Sequence, residues 1–127
     1  MKHLLFIALG GAGGALARHG LSTLVHSLGG SHFPLGTLTV NVLGSLLIGV
    51  MYVLIVESGL LHPDWRTIFI VGFLGAFSTF STFSLETVTL LESGQSGMAL
   101  IYIVSSLAVC IGGVWASMIL TRLLVTG

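Results

Sequence analysis

The chain has 127 residues, 54% of them hydrophobic and only 6% charged, and its formal net charge is zero. A soluble domain carries about 25% charged residues, so this composition cannot cover a solvated surface and reads as an integral membrane protein. The lack of net positive charge removes the electrostatic basis for binding nucleic acid, and the single cysteine, Cys110, excludes an intrachain disulfide and a thiolate metal cluster.

The apolar pattern predicts an all-α membrane protein: one four-helix domain over residues 1–127, with spans at about 4–28, 34–56, 65–91 and 98–124. At about 1.5 Å per residue, roughly 20 residues cross the hydrocarbon core, so each segment is long enough. In the first span, Ala15-Leu16-Ala17 imitates the cleavage site of a secretory signal. Apolar sequence nevertheless continues past Arg18 to Leu28, which favours a retained helix ending at Gly29-Gly30-Ser31. Arg18 would cost about 2.5–3.5 kcal/mol at the bilayer centre; snorkelling toward the far interface is the simpler reading. The second span opens near Pro34, a residue suited to a helix start. There Thr37, Asn41 and Ser45 recur every four residues and share one face. Hydroxyls at such positions are ordinary interhelical glue, whereas an unpaired Asn41 amide in lipid is costly enough to make a functional role an even alternative.

The longest connection runs from Glu57 to Asp64 and holds Pro63; Tyr52 and Trp65 lie near the span ends, where interfacial aromatics are expected. In the third span residues 77–84 read FSTFSTFS, preceded by Gly72 and Gly75. The glycines weaken the helix near mid-span, and serine or threonine hydroxyls can satisfy backbone groups freed by a break. A helix broken near mid-membrane offers carbonyls to a cation and N–H groups to an anion. The alternative is an intact helix packed through small residues. Phe80 and Phe83 lie three apart on one side, and ring edges are positive. With the neighbouring Ser81 and Thr82 hydroxyls they can hold a small dehydrated anion, although phenylalanine at helical spacing is more often packing. Glu86, further along, either caps, pairs with Arg18 or faces a vestibule. Ser93-Gly94-Gln95-Ser96-Gly97 ends the span, and on the fourth Tyr102, Ser106 and Cys110 again share a face.

Lys2, Arg66 and Arg122 fall on one side of the membrane and Arg18 toward the other, a weak bias that slightly favours cytoplasmic termini. The five histidines (His3, His19, His26, His32 and His62) sit mostly near ends and loops, which argues against a histidine metal site. No GxSxG, HExxH or Walker A motif is present and the loops are too short for an active site, so no enzyme is expected. A four-helix bundle is narrow, and a pore needs more than one copy of the chain.

Three motifs then resemble the Fluc (CrcB) fluoride channels. They are Gly10-Gly11-x-x-Gly14-Ala15-x-x-Arg18-x-x-Leu21, Gly36-Thr37-Leu38-x-Val40-Asn41-x-x-Gly44-Ser45, and Gly72-Phe73-x-Gly75-x-Phe77 continuing through the FSTFSTFS run to Glu86. The resemblance implies an antiparallel, dual-topology homodimer in a bacterial inner membrane that passively exports fluoride and confers fluoride resistance. It implies that Phe80 and Phe83 line two separate pathways, that Asn41 donates to the ion, and that Tyr102 and Ser106 belong to a polar track on the fourth helix. Thr37, Ser81 and Thr82 are expected along the same path, with Arg18 and Glu86 as a vestibule or a structural ion pair. It further implies a structural sodium ion (Na+) at the dimer axis, on backbone carbonyls of Gly75 and Ser78. Cys110 and Val114 stand where the family commonly has a hydroxyl residue. The expected partners are thus fluoride, a second copy of the chain and the bilayer. The rival is a small multidrug/proton antiporter, which needs a carboxylate in the bundle, usually on the first helix; that helix has none.

Overall fold

In the computed structural model residues 1–29 and 33–127 are described, and every regular element among them is helical. Gly30, Ser31 and His32, where part of the first connection and one loop histidine were expected, lie outside the described residues. Four stretches are long and apolar enough to cross a membrane: Lys2–Gly29, Leu35–Glu57, Arg66–Glu92 and Ser96–Thr126. Helices are what such composition forms in lipid, because each backbone N–H finds its acceptor inside the segment.

The first span is one α-helix, α1 (Lys2–Gly29), and the last is another, α5 (Ser96–Thr126). The second consists of α2 (Leu35–Tyr52) and a wider π-helical turn, Val53–Glu57. The third opens with a π-helical stretch, Arg66–Leu74, followed by α3 (Gly75–Phe77) and α4 (Phe80–Glu92). Between α3 and α4, Ser78 and Thr79 take extended backbone angles, with φ/ψ of −86/156° and −147/124°. The exit from α4 is set by Gly94 at φ +82°, a left-handed conformation that glycine adopts without steric cost. Its N–H bonds to the Leu91 carbonyl at 3.2 Å, and the Gln95 N–H bonds to the Leu90 carbonyl at 2.9 Å. That pair of bonds is the Schellman arrangement.

Packing follows the small residues. The only buried side of α1 is Gly10 and Gly14, four apart on one face, and it lies against the third span. A methyl group on Gly10 would collide with the Ile68 carbonyl, and one on Gly14 with the Phe73 carbonyl. Glycine there lets two backbones approach directly, the usual source of helix association in lipid. A methyl group on Gly49 of α2 would likewise collide with the Ser117 hydroxyl and the Val114 carbonyl of α5. Two apolar clusters fill the interior: Val40, Leu74 and Phe77 at one, Phe83, Leu90, Ala99 and Tyr102 at the other. Large side chains elsewhere point outward, among them Leu16, Ile111 and Trp115, as a lipid-facing surface requires.

Candidate functional site

The site is organised by Asn41. Its Nδ2 donates to the Thr79 carbonyl at 3.0 Å, and its Oδ1 accepts the Thr79 N–H at 2.7 Å. One amide side chain thereby bonds both backbone groups of a residue whose extended angles interrupt the helix, and it supplies the acceptor that the Thr79 N–H would otherwise lack. Thr79 in turn caps α4: its Oγ1 accepts the Thr82 N–H at 3.2 Å and lies 3.2 Å from Thr82 Oγ1. This is the capping role for which threonine is favoured.

These two diversions change the carbonyl accounting upstream. In a continuous helix the Thr79 N–H would bond to Gly75 and the Thr82 N–H to Ser78. Here both amides bond to side-chain oxygens. The Ala76 carbonyl instead accepts Arg18 Nε at 3.0 Å. Arg18 is therefore tied to backbone beside Ser78 and Thr79. The ion pair with Glu86 is not formed among the described residues, because Arg18 is held by Ala76, while Glu86 Oε1 accepts the Tyr102 hydroxyl at 3.0 Å. Tyr102 itself is fully buried, with its ring 5.0 Å from that of Phe83.

Two cavities flank Thr79. The first, of about 200 Å³, is lined by Asn41, Ser45, Ser78, Thr79, Phe80, Phe83, Ser106, Leu107 and Cys110. The rings of Phe80 and Phe83 are 5.4 Å apart and inclined at 46°. Phe83 is buried, whereas Phe80 is 71% exposed. Ser106 is 6% exposed, and its Oγ is buried with no hydrogen-bond partner. The second cavity, of about 170 Å³, is lined by Arg18, His19, Ser22, Thr23, Thr37, Val40, Thr79 and Thr82. It carries cationic and hydroxyl groups and no carboxylate.

Of the residues expected from sequence, Asn41, Phe80, Phe83, Ser106 and Ser78 thus meet at the first cavity, and Thr37, Thr82 and Arg18 at the second. Ser81 lines neither; its hydroxyl lies 3.4 Å from Thr79 Oγ1. Gly75 is in α3 and lines neither cavity, and Tyr102 is set back behind Phe83. Phe77 is core: it is 5% exposed, packed with Val40 and Leu74, and stacked on Phe73 at 5.8 Å. Thr79 was the residue that sequence reasoning missed. The available signal was a threonine three residues before Thr82 at a helix start, which is capping spacing. Among the described residues no group of three or more His, Cys, Asp or Glu side chains gathers to hold a metal.

The sequence matches the family model described as CrcB-like protein, Camphor Resistance (CrcB), over residues 5–118. A "Fluoride-specific ion channel FluC" from Saccharophagus degradans is 50% identical over 121 residues, covering 95% of this chain and 90% of the relative. The protein of the same name from Hahella chejuensis is 46% identical over 124 residues, covering 98% of each chain. That from Coxiella burnetii is 43% identical over 122 residues, covering 94% of this chain and 98% of the relative.

Proposed function

The chain belongs to the CrcB-like family, and on that footing we propose that it is a passive fluoride-selective channel through which a bacterial cell loses cytoplasmic fluoride and resists its toxicity. It is a multi-pass membrane protein, and it is a channel rather than an enzyme. The observation that carries the reading is the first cavity, where the Asn41 amide, the partnerless Ser106 hydroxyl and the Phe80 and Phe83 rings meet.

Fluoride is small and strongly hydrated, so a selective path must supply donors wherever water is stripped away. Asn41 spends one Nδ2 hydrogen on the Thr79 carbonyl and keeps a second for an anion. The Ser106 hydroxyl, buried without a partner, offers another donor whose desolvation an anion would repay. Aromatic ring edges are electropositive, so Phe80 and Phe83 add attraction without a fixed charge, and binding stays weak enough for release. Arg18, Thr37 and Thr82 make the second cavity an electropositive mouth, and Ser81 and Tyr102 extend the polar track on either side. Glu86, holding the Tyr102 hydroxyl, orients that residue.

The finer assembly belongs to the same proposal. The third span is broken near mid-membrane at Ser78 and Thr79. Two copies pack antiparallel in dual topology, each covering the side on which Phe80 stands exposed. A sodium ion at the dimer axis would be held by the Gly75 and Ser78 carbonyls. Those oxygens fit the role, since the amides that would have occupied them bond elsewhere and unwound carbonyls suit Na+. Sodium would supply fixed positive charge that locks the two copies together. The antiporter reading finds no support: α1 holds no carboxylate, and every relative named above is a fluoride channel.

Purified protein in fluoride-loaded liposomes tests the proposal with a fluoride electrode. Electrogenic fluoride efflux, absent from protein-free vesicles, is expected. Proton-coupled drug flux without fluoride efflux would overturn it.

A further inference from the structure

The first cavity contains a reactive group to which the proposed channel assigns no role, the Cys110 thiol. Cys110 is the only cysteine in the chain; it is free, half-buried, and part of the cavity lining together with Phe80, Phe83 and Ser106. It follows Ser106 by four residues on α5, so the two stand on one face, one turn apart. Ser106 supplies the independent sign that a ligand visits this place, because its hydroxyl oxygen is buried and has no protein partner.

Resting on the fluoride-channel reading, we propose that Cys110 is a modification site inside the anion path, where a small thiol-reactive molecule forms a mixed disulfide that shuts off conduction. The Cys110 thiolate attacks the sulfenyl sulfur of a thiosulfonate or small disulfide. A new S–S bond forms, the reagent's own S–S bond breaks, and the sulfinate or thiolate departs with the electron pair. The thiol proton goes to bulk water. No separate oxidant is needed, since the reagent's sulfur is reduced as the cysteine is oxidised.

The cavity geometry explains both access and effect. About 200 Å³ accommodates a molecule several times the roughly 30 Å³ share of one water, so a small uncharged reagent fits. Once bound, a methylthio group replaces the S–H donor with an apolar cap. It covers the neighbouring Ser106 hydroxyl and leaves a dehydrated anion facing carbon between that turn and the Phe80 and Phe83 rings. Loss of donors where no water can substitute is costly for an anion. A serine or alanine at position 110 cannot undergo the reaction.

The test treats the full-length protein in liposomes with methyl methanethiosulfonate, then reads intact mass and fluoride efflux before and after dithiothreitol. One methylthio adduct per chain is expected, with efflux reduced at least tenfold and recovered on reduction. The Cys110→Ser and Cys110→Ala variants should show no adduct, and the reagent should leave each variant's own flux as it was. Complete labelling with unchanged flux overturns the inference, as does a thiol that reacts only after unfolding in detergent. Absence of flux before the reagent is added overturns the channel reading itself, and this inference with it.

Discussion

Replacing Asn41 by aspartate separates the two tasks that the side chain performs. A carboxylate keeps an acceptor for the Thr79 N–H, now at 2.7 Å, but turns an oxygen toward the Thr79 carbonyl where Nδ2 now donates at 3.0 Å. As the N-cap residue of α4, Thr79 also directs its carbonyl into the first intrahelical bond. The lost donor, with an oxygen now facing that carbonyl, therefore costs about 1–3 kcal/mol of stability, the range for a buried group left unsatisfied. The electrostatic effect is larger. A unit negative charge about 4 Å from a passing anion costs about 4 kcal/mol at an effective dielectric of about 20, which lowers anion occupancy about a thousandfold. Conduction should therefore collapse while folding survives. The assay is fluoride efflux from liposomes, paired with gel filtration and thermal unfolding in detergent. A well-folded Asn41→Asp protein with efflux within about twofold of wild type would refute the assignment of Asn41 to the anion's path.

Ser106→Ala should cut efflux at least tenfold and leave thermal stability unchanged or slightly raised, because the hydroxyl it removes has no partner to lose; a large drop in melting temperature would contradict this. Phe80→Ile and Phe83→Ile should each reduce flux sharply, because isoleucine has no electropositive ring edge. Only Phe83→Ile should also destabilise, since Phe83 is buried against Tyr102 while Phe80 is exposed; thermal melts and efflux distinguish the pair. Gly14→Ala should destabilise the protein by about 1–3 kcal/mol or abolish folding, as overpacking does, because its methyl meets the Phe73 carbonyl; yield and unfolding temperature report it.

Much of this site was legible in the sequence because membrane helices advertise themselves. Apolar length marked the four spans, and the four-residue spacing of Asn41 and Ser45 placed both on the first cavity. Thr37 of the same stripe went to the second cavity. Periodicity gives a face, and neighbours on α4 and α5 decide which part of that face meets which space. Arg18 was harder still. Snorkelling and pairing with Glu86 are both reasonable for an arginine in an apolar run, and neither anticipates a bond to the Ala76 carbonyl. A backbone acceptor has no sequence identity, so no motif could have pointed to it. The same holds for Thr79, which meets the Asn41 amide through its own backbone N–H and carbonyl.

Two extended residues account for several otherwise separate features. Taking Ser78 and Thr79 out of the helix redirects the amides that would have served Gly75 and Ser78, and exposes the Ala76 carbonyl to Arg18. Uncompensated polar backbone in lipid costs several kcal/mol per group, and an arginine without a partner within a span is costly as well. Arg18 and the carbonyl therefore offset each other's burial, and a positive charge is fixed beside Thr79 without a carboxylate to neutralise it. In the proposed channel the remaining carbonyls serve a cation, while Arg18, the Asn41 amide and the Ser106 hydroxyl serve the anion. On that proposal both kinds of ion site follow from one local departure from helical geometry, held in register by the two hydrogen bonds between Asn41 and Thr79.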